Sequence, residues 1–174
     1  MFKGVVSKLI ETFEILYEQI KQWRVEQQAV PRCEDGWREF EGSCYTFIQI
    51  SRTWFSAEQY CQLFNSHLIR IDNGTEFQFI KRVLNVLHPR PLKEGTKTLS
   101  VYWTAGNDIM KEGHWVWSPR NVPIKYDSWS PSEPNNSNRQ EHCAELSSDR
   151  SYNMNDANCE IEYFFICEID RKNG

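Results

Sequence analysis

The sequence predicts an α+β domain preceded by an N-terminal amphipathic helix. Helix signals fall in the first half of the 174 residues and short strand-forming runs fill the second half. The six cysteines are an even count, which points to disulfides and an oxidising compartment. Aromatic residues make up 14% of the chain, a load that favours a β-containing core. Net charge is −4, so a general nucleic-acid binder with its basic face is excluded. No apolar run is long enough to span a bilayer.

Residues 1–30 form the first segment. Val6, Leu9, Phe13, Leu16, Ile20 and Trp23 recur in alternating steps of three and four, a heptad seam on a helix, and Ile10 and Tyr17 widen the stripe. The pattern suits an oligomerising helix, with a bundle of three or more helices favoured over a dimer. An amphipathic helix packed on its own domain is the alternative. Lys3, Lys8, Glu11 and Glu14 interrupt the apolar residues from Phe2 to Tyr17, unlike a secretory h-region, so a signal or membrane anchor would have to lie outside this stretch. Pro31 ends the helix pattern. Residues 31–170 form the main domain and 171–174 a tail.

Cys33 to Cys44 reads as a short hairpin, and Tyr45 to Ile50 as a strand. Ser56-Ala57-Glu58-Gln59 is a capping box that opens a helix to about Asn65. Thr75-Glu76-Phe77-Gln78 is a second capping box. It opens a helix with Phe77, Ile80, Val83, Leu84 and Leu87 on one stripe, closed at His88-Pro89. Short strands are expected near 101–105, 114–117, 143–147 and 163–168. The cysteines are Cys33, Cys44, Cys61, Cys143, Cys159 and Cys167. None forms a C-x-x-C pair, and six cysteines alone leave fifteen pairings open.

The stretch from Pro119 to Gln140 carries Pro119, Pro123, Pro131 and Pro134, with serines at 128, 130 and 132 and Asn-Asn-Ser-Asn from 135. A loop of this length inside a domain is functional or disordered, and Trp117 and Trp129 at its edges argue for order. Oxygen-bearing side chains gather within and after it: Glu133-Pro134-Asn135, then Glu141, then Asn155-Asp156 before Cys159. Such donors suit Ca2+, which takes 6–8 oxygens in flexible geometry, better than Zn2+, which favours His and Cys. The spacing is not that of an EF-hand, and by spacing alone it equally describes a polar surface.

These residues carry a resemblance. The chain resembles the C-type lectin-like domain family, in its long form with an N-terminal hairpin disulfide, over about residues 33–170. The resemblance rests on the cysteine frame, Trp103-Thr104-Ala105-Gly106, Trp115-Val116-Trp117, Trp129-Ser130-Pro131 leading into Glu133-Pro134-Asn135, and Asn155-Asp156 ahead of Cys159. It implies a double-loop fold with two helices and small antiparallel sheets. It also implies the pairs Cys33–Cys44, Cys61–Cys167 and Cys143–Cys159, and a cis bond before Pro134.

Carried over residue by residue, the resemblance puts a principal Ca2+ on Glu133, Asn135, Glu141, Asn155 and Asp156. The same five would bind sugar. The ion would take two vicinal equatorial hydroxyls, Glu133 and Glu141 would accept hydroxyl protons, and Asn135 and Asn155 would donate amide protons. The Glu-Pro-Asn order goes with mannose-type sugars: mannose, GlcNAc, fucose and glucose. Met154 stands where the family has Trp, which removes no ligand. An auxiliary calcium site would fall on Asp108, Glu112, Asn136 and His142 with Glu141 shared, and the His142 nitrogen argues against its tight occupancy.

Other residues carry plainer readings. Trp103, Trp115, Trp117 and Trp129 read as core ahead of a stacking platform. His67, His88 and His114 show no partner pattern, whereas His142 could line the loop. Asn73-Gly74-Thr75 is an N-glycosylation sequon. Asn135-Asn136-Ser137 also matches, but a glycan there would block the metal. Glu133 and Glu141 could be named a hydrolase pair, but no nucleophile pattern accompanies them, so an enzyme is not expected. The expectation is a secreted or extracellular lectin, with a membrane-anchored ectodomain left open, gathered into homo-oligomers by its helix for recognition in innate defence or adhesion. A lectin-like module for protein or mineral surfaces is the alternative.

Overall fold

The structure is a computed structural model that describes residues 10–22, 33–89, 99–126 and 128–170. The chain divides into two units, Met1–Glu34 and Asp35–Gly174. In the first, residues 10–22 are helical and form α1. The seam residues Ile10, Phe13, Leu16, Tyr17 and Ile20 are all exposed, Phe13 at 73%. The seam positions Val6, Leu9 and Trp23 lie outside the described residues, as does the tail from 171.

The second unit sets two helices against one sheet. Strand β1 (Arg38–Phe40) and β2 (Ser43–Arg52) form the expected hairpin, with Glu39 opposite Cys44. Helix α2 (Trp54–Gln62) follows. Its cap is Thr53, whose side chain accepts from the Ser56 N–H at 3.4 Å, so the helix starts before the predicted Ser56 box. The two-residue β3 (His67–Leu68) precedes α3 (Gly74–Leu87). Here too the cap lies earlier than predicted. Asn73 Oδ1 accepts from the Glu76 N–H at 3.0 Å and from the Thr75 hydroxyl at 2.7 Å, so Thr75 is drawn to the cap and is not the cap itself. The α3 stripe buries Phe77, Ile80, Val83 and Leu84 as the periodicity predicts.

Strand β4 (Val101–Asn107) is buried at every position, the reason its sequence shows no alternation. After it come β5 (Val116–Trp117), β6 (Val122–Pro123), β7 (Cys143–Ser147), β8 (Met154–Ala157) and β9 (Tyr163–Asp170). The sheet runs β1-β2-β9-β4-β5-β6, with β3 on β9 and the β7–β8 hairpin on β4. Strand β9 is antiparallel to β2, with Tyr45 opposite Glu168, and parallel to β4, with Tyr102 opposite Phe164. Trp103 and Trp117 are buried in the core, and Trp115 and Trp129 pack on its rim as an edge-to-face pair with centroids 4.7 Å apart.

Three disulfides staple this frame. Cys61–Cys167 ties α2 to β9 across 106 residues, and Cys143–Cys159 closes the β7–β8 hairpin across 16. Cys33 and Cys44 are disulfide-bonded as well, and no described cysteine is free. The Glu133–Pro134 bond is cis, as the resemblance implies. Ser118–Pro119 is also cis, which sequence reasoning missed.

Candidate functional site

The site is built where the 124–142 loop folds back on the β7–β8 hairpin. Two backbone contacts seat the loop: the Ser130 N–H donates to Met154 O and the Met154 N–H to Ser128 O, each at 2.8 Å. Met154, standing where the family has Trp, is fully buried, so the substitution keeps a filled core position. The hairpin register sets Ala144 opposite Asp156 and Glu145 opposite Asn155, which presents Asn155 and Asp156 beside the loop.

Asp156 is the hub and is fully buried. Its Oδ1 accepts from the Asn135 N–H at 3.1 Å and its Oδ2 from the Asn136 N–H at 2.6 Å. Glu133 lies within its field: burial and the Asp156 and Glu141 charges push the Glu133 carboxyl above the ordinary range, and Arg150 opposes them. Glu141 is pushed up in the same sense by burial and Asp156, against the Ser137 N–H that donates to its Oε2 at 2.9 Å. The Asp156 charge thus opposes the ionisation of both Glu133 and Glu141.

The donor set leaves one carboxylate oxygen unsatisfied. The Glu133 side chain is 4% exposed, and its Oε1 accepts from Arg150 Nη1 at 2.8 Å. Its Oε2 is buried and has no hydrogen-bond partner. A buried carboxylate oxygen left bare among two further carboxylates is an expensive arrangement that a bound cation would relieve. Oxygen donors alone, mixed from carboxylates and amides, fit Ca2+.

Asn155 departs from its expected role. Its Nδ2 donates to Glu145 Oε1 at 3.0 Å and to the Asp156 carbonyl at 2.6 Å, so both amide hydrogens are committed and only its Oδ1 is left to serve as a ligand. Glu145 was not identified from sequence. It is 4% exposed, its other oxygen is unpaired, and burial pushes its carboxyl up to about 8. Arg150 was missed too, although a lone cation between Glu141 and Asp156 in the sequence is a usable signal.

The auxiliary set gathers beside this site in a different form. Asp108, Glu112 and His142 cluster, with ligand atoms all within 4.8 Å of one another. Asn136 turns its Nδ2 to Glu112 at 2.5 Å, and its Oδ1 accepts from the Glu141 N–H at 3.0 Å. Glu141 pairs with the other cluster. Elsewhere, His67 Nδ1 contacts Leu68 O and His88 Nε2 contacts the Tyr102 hydroxyl at 2.6 Å, both local structural contacts.

Comparison with known proteins matches this geometry to one family. The Lectin C-type domain profile covers residues 50–169. Human C-type lectin domain family 4 member K is 33% identical over 136 residues, 76% of this chain and 38% of that protein, so the chain spans well under half of that relative's length. Perlucin of Haliotis laevigata is 34% identical over 80% of this chain and 84% of its own. Among solved structures, the carbohydrate-recognition domain of the human scavenger receptor C-type lectin superposes with a TM-score of 0.68 at 27% identity, covering 80% of this chain and all of that one.

Proposed function

The chain belongs to the C-type lectin family, and from that premise we propose that it binds mannose-type sugars through a Ca2+ held by Glu133, Asn135, Glu141, Asn155 and Asp156. The buried, partnerless Glu133 Oε2, within the field of Asp156 and Glu141, carries the proposal. Calcium, when bound, supplies open coordination positions for two vicinal equatorial hydroxyls. Glu133 and Glu141 would accept hydrogen bonds from those hydroxyls, and Asn135 would donate to them. Glu145 holds Asn155 with its carbonyl oxygen toward the ion. The Asn135 and Asn136 backbone N–H groups fix Asp156, so the loop and the hairpin reach the ion as one piece.

A single sugar in so open a site binds weakly, on the order of millimolar. The exposed apolar seam of α1 supports homo-oligomerisation, which raises avidity roughly 10²–10⁴-fold toward a glycan surface. Light scattering on the full chain gives the copy number. Mannan-agarose is the decisive support: the protein should be retained with Ca2+ and eluted by EDTA. Glu133→Gln with Asn135→Asp should pass through mannan unretained. Retention unaffected by EDTA or by that pair would refute the assignment, and a properly folded protein that ignores mannan altogether would favour a module for protein or mineral surfaces.

A further inference from the structure

The auxiliary calcium set that the family resemblance implies does not fit the residues present. Calcium wants six or more oxygens. Here an imidazole nitrogen stands among the carboxylates, with His142 Nδ1 3.0 Å from Asp108 Oδ1 and 3.6 Å from Glu112 Oε2. The Asn136 side chain faces Glu112 with its amide nitrogen, a donor and not a ligand.

We propose that Asp108, Glu112 and His142 form a zinc site. A tetrahedral Zn2+ with bonds of 2.0–2.1 Å sets its ligand atoms about 3.3 Å apart, and the two measured separations straddle that value. One nitrogen with two carboxylate oxygens is a borderline donor set that favours zinc over the hard calcium ion. Asp108 is prepared for it: the side chain is 1% exposed, its Oδ2 is held by the Gly113 N–H at 2.7 Å, and its Oδ1 faces His142 Nδ1. His142 is placed by its backbone, whose carbonyl accepts from the Asp108 N–H and whose N–H donates to Ala157 O, both at 3.1 Å. Binding puts the neutral imidazole in the tautomer with its proton on Nε2, and water fills the fourth position. Glu112 also holds Asn136, whose Oδ1 receives the Glu141 N–H, so the ion would stiffen the loop that carries the sugar site.

The test is equilibrium dialysis of the full chain against Zn2+ with Ca2+ in large excess, with Co2+ absorption reporting the geometry. One equivalent of zinc should bind in calcium's presence, and Co2+ should give the intense visible bands of a four-coordinate site. His142→Ala and His142→Asp should both lose that equivalent, and the aspartate variant guards against a fold lost with the ring. His114→Ala, at the exposed neighbouring histidine, should keep it. No zinc bound by the wild-type chain, or zinc retained by both His142 variants, overturns the proposal. Sugar retention is not the readout, so failure of the mannose reading leaves this test intact.

Discussion

Gly106 tests how closely the strands beneath the site are fitted. A methyl group on its Cα would meet the Ala144 Cβ at 2.8 Å, Trp117 Cζ3 at 3.1 Å and Ile124 Cδ1 at 3.3 Å. Two effects oppose each other in Gly106→Ala. Alanine restricts the unfolded chain, which stabilises by about 0.4–1 kcal/mol. Overpacking a filled core costs about 1–3 kcal/mol. The Ala144 methyl is one bond from its backbone and cannot swing aside, so the second effect wins and the net loss is about 0.5–2 kcal/mol. Thermal melting followed by circular dichroism should fall by roughly 2–8 °C. Ala144→Gly removes the obstructing atom, so the double variant should exceed the sum of the singles by about 1 kcal/mol. Because Ala144 pairs with Asp156 across the hairpin, mannan retention should weaken in the single variant and return in the double. Strict additivity, or a Gly106→Ala protein more stable than the parent, would refute this account of the packing.

Three further outcomes follow from the same contacts. Burial and the Glu76 charge push the Glu168 carboxyl up to about 7, above the ordinary 4.5, so the folded state favours its protonated form. Stability is then greatest below pH about 4.5, is lost as pH rises toward about 7 and levels off above, with a ceiling near 3 kcal/mol. Glu168→Gln should flatten that limb in melting curves from pH 5 to 8, and parallel curves would contradict it. Replacing Cys61 and Cys167 by alanine opens a bridge spanning 106 residues and should cost about 3–5 kcal/mol in urea unfolding, with a loss below about 1 kcal/mol counting against the staple. Asn73→Asp keeps the capping oxygen of α3 while Asn73→Ala loses it, at about 0.5–2 kcal/mol. In secretory expression both should lose a glycan-dependent gel shift and only alanine should destabilise, whereas equal stability or an unchanged gel shift would separate which role fails.

The sequence reports some features far better than others. The α3 stripe is legible because a 3.6-residue period survives in a helix with one buried face. Its cap is not, because Asn73 and Thr75 both offer oxygens at the helix start and only geometry ranks them. Strands β3 and β6 are two residues long, too short for any period to register. Strand β8 reads Met-Asn-Asp-Ala and looks like a loop, yet pairing with β7 and the Cys143–Cys159 bridge make it a strand. In the site, the Glu-Pro-Asn and Asn-Asp signals sit in short contiguous runs, so resemblance finds them. Arg150 and Glu145 act through partners 17 and 10 residues away, so no contiguous motif carries them, and only Arg150's position as a lone cation among the acidic residues hints at its role.

The first strand, β1, and the last, β9, both flank β2, so the main unit's opening and closing strands lie one strand apart. A body whose doorway and exit adjoin can be threaded into a longer polypeptide like a bead, with little demand on the flanking segments to bend around it. Tandem arrays of the unit should then be straightforward to build.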